Sequence, residues 1–387
     1  QINSIKIFSI CCNIEDLLFG GLEDGRIFVW KIESRLPPIG YFPSLCQSCV
    51  NTLCSIGIIT IAGYESGNII GWNGTEDGVK NQIPLFKLLV GQHPNYHIGA
   101  IRTLLSCYAP EISSLEFPEL YFTRPSVLLL SGSSDKSFRL WNATKCYDFS
   151  TNNNNNNNNN FDSNEIPLEL FDVQFESMSI NTIAIEWTNC GHGDGKSGQP
   201  SGHLDRKKYS HWLRIFTTSG SGKLDKIIRI FTSDEDGTNL RQTGSLRGHK
   251  QSIQCLCIVK PTYRHIKDED YQLNEDYNEN IYKQDEYICR LVSSSLDGTI
   301  ILWDTSSNLQ LMCLSMNRVF ISLIQYNENI FGINTESNEI SVIKFKSQLI
   351  LDDRILMDDL SQVVCLYQHK GCLYCGMFPG NVREIYL

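Results

Sequence analysis

The sequence lacks a long apolar run, a surplus of basic charge and any complete catalytic or metal-binding motif. No stretch reaches the ~18 apolar residues of a spanning helix; the longest, Thr52 to Gly63, is about a dozen residues and holds two glycines. No membrane partner is expected. Lysine and arginine number 33 against 43 aspartate and glutamate, a net charge of −10. Proteins that bind nucleic acid through bulk charge carry a basic footprint, so direct nucleic-acid binding is not expected either. The sequence opens on Gln1 rather than methionine, and no charged-then-apolar leader follows, so no targeting signal is expected within it. What remains is 387 residues, 41% apolar and 20% charged, the composition of an acidic globular protein with a substantial core.

Cysteine is abundant, with 15 in the chain. Most sit inside apolar runs such as Cys255-Leu-Cys257-Ile and Val364-Cys365-Leu, where a free thiol behaves as a small buried hydrophobe. A chain of this size needs no disulfide staple, so a reducing, intracellular setting is expected, cytoplasm and nucleus not being distinguished. Two CxxC pairs invite a metal reading. Cys372 and Cys375 fall in an alternating strand, where positions i and i+3 face opposite sides and cannot chelate together. Cys46 and Cys49 lack a second pair at zinc-finger spacing. No metal and no cofactor are expected.

One pattern recurs along the chain: an apolar strand, a turn, then a second strand ending in a large apolar residue. The turn residue stands six positions before that end in Asp24–Trp30, Ser66–Trp72, Asp135–Trp141, Asp297–Trp303 and Asp225–Phe231, and again in Ser337–Ile343 and Pro379–Ile385. The unit 248–304 carries the fullest set, with Gly248-His249 upstream and Trp303-Asp304 at its end. This arrangement resembles the WD40 repeat, whose signature is a Gly-His upstream of a Trp-Asp. Four segments read as insertions, 108–124, 144–165, 188–211 and 260–286; removing them leaves about 42 residues for each of seven units, against the ~40–45 of a WD40 blade. Six or eight units would give about 50 or about 37. The expectation is therefore an all-β chain, 1–387, forming a single seven-bladed propeller.

The resemblance implies a structural network of His, Ser, Asp and Trp within a blade. Carried onto this sequence it assigns His249, Ser293, Asp297 and Trp303, with a second set at His93, Ser131, Asp135 and Trp141; Trp30, Trp72 and Phe231 fill the aromatic position elsewhere. These hold the fold and perform no chemistry. The strand order of such a disc sends all four insertions to one face and leaves the other short-looped. Glu23, Glu65, Tyr96, Lys250, Leu296 and Phe378 fall near the rim of that trimmed face, which is the expected partner site. The last unit ends on its third strand, so its closing strand is expected to come from upstream of Gln1.

Other motifs read as bland. Gly191-His-Gly-Asp-Gly195-Lys196-Ser197 resembles a phosphate loop, but Cys190 stands where its first glycine belongs and Pro200 follows where a helix should begin. Cys190, His192, His203 and His211 match no metal spacing. The asparagine run 152–160 extends a loop. Segment 267–286 holds eight acidic residues against Lys267 and Lys283, interleaved with tyrosines, and reads as a solvated strip or a dock for a basic partner. The innermost strands (Ile5–Cys11, Asn51–Ile56, Thr182–Glu186, Ile253–Ile258 and Val363–Tyr367) offer only Lys6 and Glu186 as charges, too few for a catalytic channel. The functional expectation is a non-enzymatic scaffold or adaptor, a monomeric propeller binding other proteins within a larger complex. Two alternatives are a substrate receptor of a ubiquitin ligase, of the kind fused to F-box, RING or zinc-finger modules, and a subunit of an RNA-processing complex. A catalytic propeller stands last.

Overall fold

Val, Ile, Leu and Phe alternating with polar residues, punctuated by Asp-Gly and Ser-Gly turns, set up short antiparallel strands along the whole chain. The structure, a computed structural model, describes residues 6–32, 37–109, 127–152, 166–190, 210–220, 226–233, 238–259, 290–316, 318–327, 329–334, 339–345, 349–356, 362–378 and 381–387. Seven sheets follow one another. Blade 1 comprises β1 (Ile7–Cys12), β2 (Leu17–Leu22), β3 (Ile27–Lys31) and β4 (Gly40–Phe42), and blade 2 comprises β5 (Val50–Ile56), β6 (Ile59–Tyr64), β7 (Ile69–Asn73) and β8 (Pro84–Leu88). Blade 3 comprises β9 (Ile101–Tyr108), β10 (Val127–Ser133), β11 (Ser137–Asn142) and β12 (Glu169–Phe175). Blade 4 comprises β13 (Ile180–Cys190), β14 (Ser210–Ser219), β15 (Ile227–Ser233) and β16 (Leu240–Arg247). Blade 5 comprises β17 (Ile253–Val259), β18 (Arg290–Ser295), β19 (Thr299–Asp304) and β20 (Leu309–Ser315). Blade 6 comprises β21 (Phe320–Tyr326), β22 (Asn329–Asn334), β23 (Glu339–Phe345) and β24 (Leu349–Leu356), and blade 7 comprises β25 (Gln362–His369), β26 (Cys372–Phe378) and β27 (Val382–Tyr386).

First strands of successive blades touch one another, and β25 touches β1, so the sheets close into a ring with their first strands innermost. The fold is a seven-bladed β-propeller. Burial follows from position in the blade. Strands β2, β6 and β10 are covered on both sides and buried at every residue, whereas the outermost β20 is exposed at most of its positions. Each seam between neighbouring blades holds its own apolar cluster, from Val50 and Phe42 between blades 1 and 2 round to Ile7, Trp30 and Tyr374 between blades 7 and 1. Close seams need small residues: a Cβ on Gly63 would come within 2.5 Å of Ile101 Cγ2 in the next blade.

Every innermost strand carries one extra residue near its start, where the register to the second strand shifts. The extra residues are Phe8, Asn51, Arg102, Asn181, Gln254, Ile321 and Val364. Such bulges re-aim a side chain out of the ladder. The innermost strands thus contribute Arg102 as well as Lys6 and Glu186, a charge that the five sequence-read channel strands did not include. Glu186 does not stand open in the channel: it is buried and pairs with Arg214 at 3.4 Å.

Among the described residues two helices interrupt the all-β pattern. Helix α1 (Glu76–Asn81) starts on Thr75, whose Oγ1 accepts from Gly78 N at 3.0 Å. Helix α2 (Thr144–Asn152) occupies the start of the segment read as a plain insertion, and only its remainder, 153–165, lies outside the described residues. It buries Cys146, Phe149 and Ser150, and Ser150 Oγ accepts from Ile58 N of blade 2. The other three insertions fall between the first and second strands of blades 3, 4 and 5, and most of their residues lie outside the described ones. Strands β13 and β14 extend into the segment read as 188–211, reaching Cys190 and starting at Ser210. The asparagine run beyond Asn152, the Gly191–Ser197 motif, His192, His203 and the 267–286 strip are all outside the described residues. Among the described residues blade 7 has three strands, and no helix is long and apolar enough to cross a membrane.

Candidate partner-binding face

The His–Ser–Asp–Trp arrangement forms in two blades. In blade 5, Trp303 Nε1 donates to Ser293 Oγ (2.8 Å), and the Ser293 hydroxyl lies 2.7 Å from His249 Nε2. His249 Nδ1 faces Thr299 Oγ1 at 3.0 Å and Asp297 at 3.5 Å. In blade 3 the ring in that place is His97, not His93: His97 Nε2 lies 2.8 Å from Ser131 Oγ, His97 Nδ1 lies 2.9 Å from Asp135, and Trp141 Nε1 donates to Ser131 Oγ at 2.9 Å. With the Trp N–H donating to serine, the hydroxyl proton turns to Nε2, which leaves the imidazole proton on Nδ1 facing the carboxylate. A shared local constraint puts His97 in that place. The residue after the network histidine donates its backbone N–H to the aspartate, Lys250 to Asp297 at 2.6 Å and Ile98 to Asp135 at 3.0 Å. His93 instead accepts from Asn95 N within its own turn.

Burial lowers the pKa of both His97 and His249, against the raising pull of their aspartates. Burial works to raise Asp135, but hydrogen bonds from His97 and Ser137 outweigh it and hold the carboxyl well below its usual range. Both imidazoles are fully enclosed and hydrogen-bonded, so they serve the wall. Blade 4 carries a different network that the sequence did not reveal. Thr217 Oγ1 donates to Glu176 at 2.7 Å, and Arg229 Nε pairs with the same buried carboxylate at 3.0 Å. Thr217 pairs with Arg229 as Ser131 does with Arg139, so the hydroxyl position was the available signal. Trp72 stacks on Phe42 at 4.7 Å, Trp30 meets Phe28 edge-on, and Phe231 meets Phe138 at 4.9 Å. These aromatics fill seams.

The face formed by second–third turns and blade crossovers is tied down bond by bond. Turn residues donate backbone N–H groups to the carbonyl of the crossover behind them: Glu23 to Lys6, Glu65 to Cys49, Ser134 to Ala100, Gly220 to Ser179 and Leu296 to Ser252, all at 2.8–3.2 Å. The bulge residues emerge at this same end of the innermost strands. Four in succession, Asn51, Arg102, Asn181 and Gln254 in blades 2 to 5, are polar; Ile321, Val364 and Phe8 in blades 6, 7 and 1 are apolar.

The six rim residues chosen from sequence divide into local groups here. Lys6 Nζ lies 5.5 Å from the centre of the Phe378 ring, near Glu23. Glu65 accepts from Asn51 Nδ2 at 2.5 Å and stands 3.8 Å from Arg102. Lys250 and Leu296 flank the Asp297 turn of blade 5, with Lys250 exposed. Tyr96 sits in the crossover before blade 3, half-buried, its N–H donating to His93 O. Thiols do not add a nucleophile to this face. Burial pushes Cys49 up to about 11 and raises Cys46 as well, so both stay protonated at neutral pH. Cys372 and Cys375 face opposite seams, the alternation of β26 placing one toward blade 1 and the other toward blade 6.

Residues 240–304 match the WD domain, G-beta repeat. No curated protein sequence matches the chain. Among solved structures, a chain of the mitotic checkpoint complex superposes with a TM-score of 0.60 at 11% identity, covering 98% of this chain and 89% of that one. The structure of U3-55K superposes with a TM-score of 0.57 at 14% identity, covering 96% of this chain and 90% of its own. The matched segment spans β16 through β19 and includes the whole blade 5 network, and the fold is that of a WD40-type propeller.

Proposed function

We propose that this WD40-type propeller is a non-catalytic interaction scaffold, a monomeric disc that holds protein partners on its turn-and-crossover face within a larger assembly. One observation carries the reading: five of the second–third turns are bonded to their crossovers, so the face is a rigid plane whose exposed side chains surround a channel mouth that is polar on one arc and apolar on the other. Rigid aromatic and aliphatic anchors beside adaptable polar groups are what a protein interface requires, since a few buried anchors carry most of its energy. One solved neighbour being a chain of a checkpoint complex agrees with a role in assemblies. The buried, fully hydrogen-bonded histidines and protonated thiols support the non-catalytic part of the reading.

The test is affinity purification of the full-length protein against a Lys250→Glu/Leu296→Asp double variant. The expected result is a stoichiometric partner that the variant loses while keeping the same melting temperature. An unchanged partner set with the variant folded would refute this assignment of the face.

A further inference from the structure

The ring closes between blades 7 and 1, and at that seam three side chains of metal-binding type converge from residues far apart in sequence. Cys12 ends β1, Asp16 lies in the turn that follows it, and His369 ends β25. One ligand atom from each lies within 4.8 Å of the other two. His369 Nε2 is 2.9 Å from Asp16 Oδ1, although the two residues are 353 positions apart. We propose that this cluster is a zinc site, with Cys12 Sγ, Asp16 Oδ1 and His369 Nε2 as protein ligands and water as the fourth.

The chemistry of the donors selects the ion. A thiolate with an imidazole suits a borderline-soft cation and excludes magnesium and calcium, which take oxygen. Zinc bonds of ~2.0–2.3 Å place neighbouring ligand atoms roughly 3.3–3.8 Å apart in a tetrahedron. The present hydrogen bond of 2.9 Å opens by about half an ångström to admit the ion, and the thiol already lies within 4.8 Å of both partners. One thiolate and one carboxylate offset the dication, with the Lys370 ammonium beside Asp16 adding one positive charge, and His369 binds neutral with its proton on Nδ1. Cys12 loses its thiol proton to solvent on binding, so uptake releases one proton.

The surroundings have the form of an outer ligand shell. Lys370 Nζ donates to Asp16 Oδ2 at 2.6 Å, which fixes the carboxylate's direction and leaves Oδ1, held by His369 in the absence of an ion, as the coordinating oxygen. Tyr367 Oη donates to Cys12 O at 3.5 Å, holding the turn that carries the thiol. Cys12 is buried, while the side chains of Asp16 and His369 are 33% and 23% exposed, so the ion has a path from solvent. Occupied, the site staples blade 1 to blade 7 at the seam that closes the ring.

The experiment uses the full chain, stripped with chelator and titrated with zinc, then with cobalt(II) as a spectroscopic probe. The expected results are one zinc equivalent, a rise in melting temperature and a near-ultraviolet thiolate-to-cobalt band. Cys12→Ser should abolish the band. His369→Gln, at a partly exposed position that keeps the fold, should weaken binding by about tenfold or more, the least that losing even an outer partner costs. Cys49→Ser should change nothing. Binding that persists unaltered in the His369→Gln protein, that disappears with Cys49→Ser, or that never reaches one equivalent would overturn the proposal.

Discussion

At the scale of single residues, the two histidine networks make sharp demands. Ser131 receives Trp141 Nε1 and faces His97, both fully buried, so Ser131→Ala leaves two polar groups without a partner. The expected cost is about 1–3 kcal/mol by chemical denaturation. His93→Gln, half-buried in its own turn, should cost under about 0.5 kcal/mol; a larger loss there than at Ser131 would return the network to His93. The pH dependence has a definite sign. His97 and His249 have folded pKa values below their ordinary 6.5, so the unfolded chain binds more protons and stability falls as pH drops below that value. Asp135 and Asp297, both lowered from 3.8, add a second loss further down. Melting temperature should therefore decline from neutral pH downward, and His97→Gln should flatten the part that begins below about pH 6.5. A melting temperature that rises on acidification would contradict these assignments.

At the scale of elements, the repeat was legible because turn-to-aromatic spacing is fixed by strand length, and strand length by blade thickness. Asp297 and Trp303 could be placed on that basis, as could Asp135 and Trp141. The histidine of blade 3 was not, because Gly91-Gln-His93 looks like the Gly-His signature while the determining feature is the backbone bond from Ile98 to Asp135. Glu176 was invisible for a similar reason: a carboxylate in a crossover carries no repeat signature until Thr217 and Arg229 fold against it. Helix α2 had a signal that went unused. Asn142, directly after Trp141, accepts from Thr144 N at 3.0 Å, as Asn73 does from Thr75 N before helix α1. The edge of blade 7 gives an expectation at this scale. Strand β27 pairs on one side only among the described residues, whereas its counterpart β23 pairs on both. Amide exchange should be faster in β27 than in β23. Equal protection would mean that a further strand covers β27.

At the scale of the whole molecule, radial repetition separates support from recognition. Seven seam clusters and two histidine networks hold the disc, and the helices and long insertions leave from the ends of strands opposite the bulges. That division leaves the exposed rim side chains of the turns and crossovers as the proposed recognition surface, while His97, His249, Asp135, Asp297, Glu176 and the bulge residues Asn51 and Asn181 hold the wall behind it. That surface is tested most directly by hydrogen exchange on the propeller bound to the partner recovered by affinity purification, compared with the free protein. New protection is expected in the segments carrying Glu23, Glu65, Tyr96, Lys250, Leu296 and Phe378, with the first–second connections of blades 3 to 5 unchanged. Protection confined to those connections, with the turn-and-crossover face unaltered, would contradict it.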